Sequence, residues 1–482
     1  MKALVISLGC KVNQSEGEEI LDLFAAAGAA KATPDESADI IIVNTCTVTG
    51  EADRKSRKLI YRAIETKKAG CHVVVTGCYA ETAADKLRGI PGVDLVVPQS
   101  EKDGLVERVL RKTNYYSSKE AQADESRISG SRLAQKKHSE LARTEIFSTS
   151  MTQARHRVYL KIQDGCDNRC AYCIVPDARG KARSVPPNEI LSKVAGLSAG
   201  GTKEIILTGI NVGKFGTDEV APSQSEGAPR LPAGRQGKAG NDGITRLIKR
   251  LMQTPGLERI RLSSIEPEDV TEELVEILKT GGERHPHLNP LPARERQSNY
   301  WLSALSPQLT EAYLCPHLHI PLQSGDDETL KRMRRRYTAD GYRKTIKRIR
   351  VACPDAAITT DVIVGFPGET DEEFRNTYRF IEEIKPARLH VFRYSKRAGT
   401  PAADMPGQVT AAAKAERSEA LRELSGRLEA DYRKMFVGRE LEILVEKASG
   451  GRLTGTSENY LTVTFNGDDS LIGKLVRTRL LD

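Results

Sequence analysis

The first hundred residues alternate two hydrophobic patterns. ALVISLGC, DIIIVNTC and HVVVTGC are short apolar runs, and each closes on a cysteine. Between them, SEGEEILDLFAAAGA and ADRKSRKLIYRAIETKK space their apolar residues as helices do. Strands and helices alternating at this length predict a doubly wound parallel sheet. From Arg157 the alternation resumes, with VYLKIQ, EIILTG, RIRLSS, HLHIPL, ITTDVIVGF and RLHVFRYS as strands. Six strand–helix units predict a partial (β/α)6 barrel. A long amphipathic helix is expected over 409–437, and short strands punctuated by Gly and Asp predict a small β-barrel from Gly438 onward. The expected fold class is therefore α/β, with domains at 1–112, 151–408 and 438–482 and a polar linker at 113–150. Two stretches break the periodicity: 217–243 is rich in Pro, Gly and Ser, and 283–301 in Pro and Arg. Such compositions bury no core. His285 and His287 in the second read as solvated loop histidines, and Trp301 ends it.

The cysteines change this picture. In doubly wound sheets ligands gather outside the carboxyl ends of the strands. Cys10, Cys46 and Cys78 each stand at such an end, whereas Cys71 precedes its strand and belongs at the opposite edge. A free cysteine is commonly a small buried hydrophobe, which accounts for any one of the three alone. Three at equivalent strand ends point to metal binding. A second triple, Cys166, Cys170 and Cys173 in CDNRCAYC, lies directly after the first barrel strand, on the face where barrels carry their active sites. Structural zinc and ordinary electron-transfer clusters take four protein ligands. Three thiolates leave one position open for something else to bind.

Composition narrows the class only a little. The chain has 482 residues, a formal net charge of +8 and 39% hydrophobic residues, so it is globular and mildly suited to acidic or nucleic-acid partners. Nine cysteines, an odd number, fit reduced thiols or metal ligands better than a disulfide framework. No apolar run approaches the roughly 18 residues of a membrane span. MKALVISLGC reads as a first strand, and the expected location is cytoplasmic with no membrane partner.

CxxxCxxC with Tyr172 before its last cysteine resembles the signature of the radical S-adenosylmethionine (SAM) superfamily. That resemblance implies a [4Fe–4S] cluster on Cys166, Cys170 and Cys173 whose free iron chelates SAM. The competing reading, zinc with a distant fourth ligand, fits the spacing less well. Further positions follow the barrel strands in order: Gly209, then Ser264 and Glu266, then Gln323, then Asp361 and Gly365. In the superfamily such positions meet the methionyl amine, ribose and adenine of SAM.

The longer motifs LGCKVNQSE, VNTCTVT, TGCYAE, IQDGCDNRCAYCIVPDARG, LTGINVG, RLSSIEP, CPHLHIPLQSGDDETLKRMRRRY and DVIVGFPGET resemble those of the radical SAM methylthiotransferases. Members carry a radical SAM barrel between an N-terminal domain and a C-terminal nucleic-acid-binding (TRAM-like) barrel, placed here around GRLTGTSENYLTVTF. The resemblance implies a second [4Fe–4S] cluster on Cys10, Cys46 and Cys78, two SAM per turnover, an electron donor such as flavodoxin or ferredoxin, and a sulfur donor. GCKVNQSE resembles the branch acting on N6-threonylcarbamoyladenosine of tRNA. The isopentenyladenosine branch and the branch modifying a ribosomal-protein aspartate are the alternatives, and a zinc-containing RNA-binding protein is the non-enzyme one. The segment 331–350 carries ten Lys/Arg against one Asp, which makes Arg334, Arg335 and Arg336 candidate RNA contacts. From Gly438 on, six Lys/Arg face seven Asp/Glu, so RNA contact there falls to local groups: Arg452, Tyr460 and Lys474.

Overall fold

The computed structural model describes residues 1–113, 156–218, 242–283 and 311–481. The linker, most of 217–243 and 283–301, and His285, His287 and Trp301 lie outside the described residues. The chain forms two units. One is Met1–Gln153 with Cys173–Lys181, and the other is Ala154–Tyr172 with Ala182–Asp482.

In the first unit, β1 (Lys2–Ser7), β2 (Ala30–Lys31), β3 (Ile40–Thr45), β4 (His72–Gly77) and β5 (Leu95–Val96) form a parallel sheet in the order β2-β1-β3-β4-β5. The apolar runs are continuous because both faces are covered. Ile40 and Ile42 enter one core with Ile20 and Phe24 of α1 (Lys11–Ala26), while Ile41 and Val43 enter the other with Ile60 and Ala63 of α2 (Gly50–Thr66). Thr49 starts α2 by accepting from the Ala52 N–H at 3.0 Å, with Glu51 and Asp53 in the first turn, where acids suit the helix dipole. Three more helices complete the run: α3 (Cys78–Thr82), α4 (Ala84–Arg88) and α5 (Leu105–Lys112). The strand order reverses between β1 and β3, which makes their carboxyl ends the crevice of the sheet. A short helix, α6 (Val175–Arg179), also belongs to this unit; Pro176 opens it, and Gly180, at φ +76°, ends it.

In the second unit, β6 (Arg157–Lys161) opens the barrel, and a small hairpin, β7 (Gln163–Asp164) with β8 (Arg183–Ser184), follows it. Parallel strands β9 (Glu204–Thr208), β10 (Arg259–Leu262), β11 (Tyr313–Leu314), β12 (His317–His319), β13 (Ala357–Val364) and β14 (Arg388–Arg393) continue it. The fourth expected strand, HLHIPL, corresponds to β12. Pro316 separates it from β11, a short strand that was not among the six expected, and the Ser264–His319 bridge joins the two halves of the wall. Alternate residues divide sharply. Leu160, Leu207, Leu262, Leu318, Val362 and Leu389 pack outward into one hydrophobic core. The intervening positions, Arg157, Glu204, Arg259, Arg261, His317, His319 and Asp361, point the other way, so the interior of the barrel is polar.

The C-terminal strands β15 (Glu440–Ser449), β16 (Arg452–Ser457), β17 (Thr462–Asn466) and β18 (Leu475–Arg479) make a curled antiparallel sheet in the order β17-β16-β15-β18. It closes the amino-terminal end of the barrel. Arg259 Nε lies 3.3 Å from Glu442 Oε1 and its NH1 3.3 Å from the Thr456 carbonyl. Arg157 meets Glu446 at 2.7 Å, and Arg261 donates to the carbonyls of Ser457 and Glu458, each at 3.1 Å. Glu204 is held between Arg157 at 2.9 Å and Arg261 at 3.1 Å, and those cations outweigh burial to bring its carboxyl down to about 2. Glu442, Glu446 and Glu458, three of the seven acidic residues that offset the basic ones after Gly438, are thus paired with barrel arginines.

Candidate functional site

Cys10, Cys46 and Cys78 follow β1, β3 and β4, the three adjacent central strands of the first sheet, at their carboxyl ends. Cys10 is exposed, and Cys46 and Cys78 are buried. Burial pushes the Cys46 thiol up to about 12, and Cys10 and Cys78 are near enough for their charge to push it further. Burial likewise raises Cys78, opposed by Arg179. The buried Cys46 and Cys78 thiols become thiolates when a metal takes their protons, and with Cys10 they make a donor set that suits an iron–sulfur cluster. Gly9, at φ +113°, passes so close that a Cβ there would stand 2.6 Å from Cys46 Cβ and 2.8 Å from its sulfur. Only glycine lets the backbone carrying Cys10 approach Cys46 this closely.

Beneath these thiols lies a polar network in the same unit. Asn13 donates to the carbonyls of Leu8 and Thr45 at 2.8 and 2.9 Å, tying the Cys10 turn to the strand before Cys46. Glu16 accepts from Lys102 at 2.6 Å and from Arg179 at 2.9 Å. Arg179 Nε stands 3.1 Å from Cys78 Sγ.

In the second unit, Cys166 and Cys170 lie in the loop after β7, the short strand that follows β6, and the Asn168 N–H points at Cys166 Sγ, 3.4 Å away. Arg335 NH1 stands 3.2 Å from Cys170 Sγ while its NH2 is paired with Glu266. Tyr172 packs edge-on against Phe366 at 6.4 Å, within an apolar patch of Ala171, Met333, Tyr394 and Ala402. Cys173 belongs to the first unit, where the Val175 N–H lies 3.4 Å from its sulfur.

The remaining sequence candidates fall into place unevenly. The space beside Gly209 is filled by Gln163, whose Oε1 would be 2.8 Å from an added Cβ, so this glycine serves the hairpin as well as any ligand. Ser264 and Gln323 sit on the two bridges that stitch the wall, and Gln323 holds φ +64°, a conformation costly for a side chain other than glycine. Gly365, at φ +70°, donates its N–H to Glu369 at 2.9 Å. Glu266 and Asp361 are engaged: Glu266 with Arg335, and Asp361 with His319 and His390 at 3.2 Å each. His319, Asp361 and His390 bring one ligand atom each within 4.8 Å of one another. Thr359 Oγ1, 2.9 Å from His319 Nδ1, turns the other ring nitrogen toward Asp361.

Of the candidate RNA contacts, Arg334, Arg336, Arg452 and Lys474 are exposed. Arg335 is not: its side chain is 5% exposed because Glu266, Cys170 and Tyr337 surround it. Tyr460 stacks on His317 at 3.9 Å under the Arg261 guanidinium, at the seam between the C-terminal sheet and the barrel. Sequence reading missed Arg179, Glu16, Lys102, His319 and His390.

A parallel partial barrel with CxxxCxxC after its first strand defines a radical SAM protein. Two family models agree: residues 2–98 match the family described as "Uncharacterized protein family UPF0004", and residues 160–295 and 242–381 match the radical SAM superfamily. The threonylcarbamoyladenosine tRNA methylthiotransferase MtaB of Bacillus subtilis is 36% identical over 98% of this chain and 92% of its own. That of Thermotoga maritima is 33% identical over 96% and 91%. The tRNA-2-methylthio-N(6)-dimethylallyladenosine synthase of Acidothermus cellulolyticus is 32% identical over 98% and 84%. The chain belongs to the radical SAM tRNA methylthiotransferase family, in its MtaB branch.

Proposed function

We propose that the chain adds a methylthio group to C2 of N6-threonylcarbamoyladenosine beside the tRNA anticodon, using two [4Fe–4S] clusters and two SAM per turnover. The observation that carries this reading is the second thiol triple. Cys10, Cys46 and Cys78 stand at adjacent strand ends of a crevice, apart in sequence from the CxxxCxxC that the radical SAM class requires. GCKVNQSE and the names of the two MtaB relatives support the substrate branch. When bound, the clusters and SAM supply the methylated sulfur and the 5′-deoxyadenosyl radical that removes the C2 hydrogen. The electron comes from a flavodoxin- or ferredoxin-type donor, and the sulfur from a separate donor.

The side chains have narrower tasks. Cys166, Cys170 and Cys173 would hold the SAM cluster, with Arg335 donating to the Cys170 sulfur and Glu266 fixing that arginine. Tyr172, Gly209, Ser264, Gln323 and Gly365 would shape the SAM site. Asp361 acts there through its hydrogen bonds to His319 and His390. The exposed Arg334, Arg336, Arg452 and Lys474 would meet tRNA phosphates. Reversing Arg334 and Arg336 together to Glu should weaken tRNA binding about tenfold or more and lower the salt slope by roughly two. Iron content should stay unchanged. Equal affinity in a filter-binding titration would remove these residues from the interface.

The test of function is an anaerobic assay of reconstituted protein with reductant, SAM and tRNA bearing threonylcarbamoyladenosine. Nucleoside mass spectrometry should show its 2-methylthio derivative. Product formed only from isopentenyladenosine tRNA or from the ribosomal protein would reassign the branch, and a colourless, iron-free protein would overturn the class.

A further inference from the structure

We infer that Arg179 is a positioning residue for the cluster that Cys10, Cys46 and Cys78 would hold, setting that cluster's reduction potential by hydrogen bonding to the Cys78 sulfur. The inference rests on the reading of those three thiols as cluster ligands.

Geometry fixes the guanidinium on three sides. Its Nε, with a single proton, lies 3.1 Å from Cys78 Sγ. NH1 reaches Glu16 Oε1 at 2.9 Å, and NH2 reaches Asn13 Oδ1 at 2.5 Å. The side chain is 1% exposed. A planar fork held by a carboxylate and an amide cannot swing away, so its Nε–H stays aimed at sulfur. Both holders have second duties around the same thiols. Asn13 ties down the turn carrying Cys10, and Glu16 also binds Lys102, whose Nζ donates to Asn44 Oδ1 at 2.9 Å on β3. Arg179 is thus braced by the framework that holds the Cys10 turn and the strand before Cys46, while its own Nε meets Cys78.

The segment that supplies it is the continuation of CDNRCAYC. Arg179 lies six positions after Cys173, and Pro176 and Gly180 confine α6 to little more than one turn. A hydrogen bond to a ligand sulfur and a buried positive charge both favour the more negative, reduced state of an iron–sulfur centre. A motif read as part of the SAM-binding loop would then also tune the sulfur-carrying site.

The test uses the full chain with Cys166, Cys170 and Cys173 all changed to Ala, so that any remaining cluster sits on the N-terminal triple. After anaerobic reconstitution, iron and sulfide are counted and the midpoint potential is followed by electron paramagnetic resonance. R179Q should bind a cluster whose potential is shifted negative, and R179K, which keeps the charge but loses the fork, should fall between R179Q and the parent. A purely structural arginine would lower the melting temperature and leave the potential alone. Unchanged potential and spectrum in both cluster-bearing variants would overturn the inference. A parent that binds no iron would instead overturn the reading of Cys10, Cys46 and Cys78 beneath it. If R179Q takes up no cluster, the R179K potential alone decides.

Discussion

Changing Cys46 to Ala should abolish the methylthio product while SAM is still cleaved to 5′-deoxyadenosine. The expected loss of product is complete within detection, on the order of a thousandfold or more, because a thiolate ligand has no substitute among aliphatic side chains. Cys46 is the informative member of its triple. It follows the central strand β3, whose neighbours β1 and β4 lead to Cys10 and Cys78, and Gly9 presses directly against its sulfur. Fold should survive, since alanine is a smaller apolar group at a site packed by backbone, with a cost of about 1–2 kcal/mol for the space left. Iron per chain should fall by about half, with four iron atoms retained on the other triple. Loss of 5′-deoxyadenosine together with product would mean that the two triples do not act separately. Unchanged product would show that Cys46 is only a small buried hydrophobe.

Much of this fold is legible in the residues, and the failures share a cause. Apolar runs bounded by polar helices are local signals, so the strands and the order of cysteines at their ends could be read directly. Groups whose partners are distant in sequence could not. Arg259 finds Glu442 at a separation of 183 residues, and Arg179 finds Glu16 at 163. Yet one signal was present. RVYLK, RIRL and HLH place charged or polar residues at every second position of strands otherwise rich in Val, Ile and Leu. A parallel sheet covered on both faces should lack that alternation, so it marks a polar barrel interior. The arginine run misled in the opposite sense. KRMRRR looks like one solvated surface, but Asp327–Arg332 ends as a helix there and Arg334 takes φ +60°. That reversal sends Arg335 inward to Glu266 while its neighbours stay exposed. A charge run shows how many cations are present and not which way each one faces.

Replacing Arg259 with Met should be the most damaging single change outside the cysteines, costing roughly 3–5 kcal/mol. Arg259 is fully buried and serves Glu442 at 3.1 Å, Glu204 at 3.6 Å and Glu458 at 4.0 Å. Removing it withdraws one guanidinium from three carboxylates that burial has already stripped of water. Glu204 keeps Arg157 and Arg261, so the loss falls chiefly on Glu442, which retains the Tyr313 hydroxyl at 2.9 Å. Since Glu442 belongs to β15 and Arg259 to β10, the change should loosen the C-terminal sheet before it unfolds the barrel. Urea unfolding should show an early transition, and limited proteolysis should cut near the end of the helix Ala411–Lys434. Removing both partners in R259M/E442L should recover a large share of the loss, because an apolar pair of similar volume often replaces a buried ion pair at little cost. A single unfolding transition at the parent's midpoint in R259M would mean that the sheet is held by its apolar contacts alone. The same experiment bears on tRNA binding. A sheet fixed to the base of the barrel presents Arg452 and Lys474 in a constant orientation, whereas a loosened one presents them on a tether. R259M should therefore weaken tRNA binding even though Arg259 itself touches no solvent.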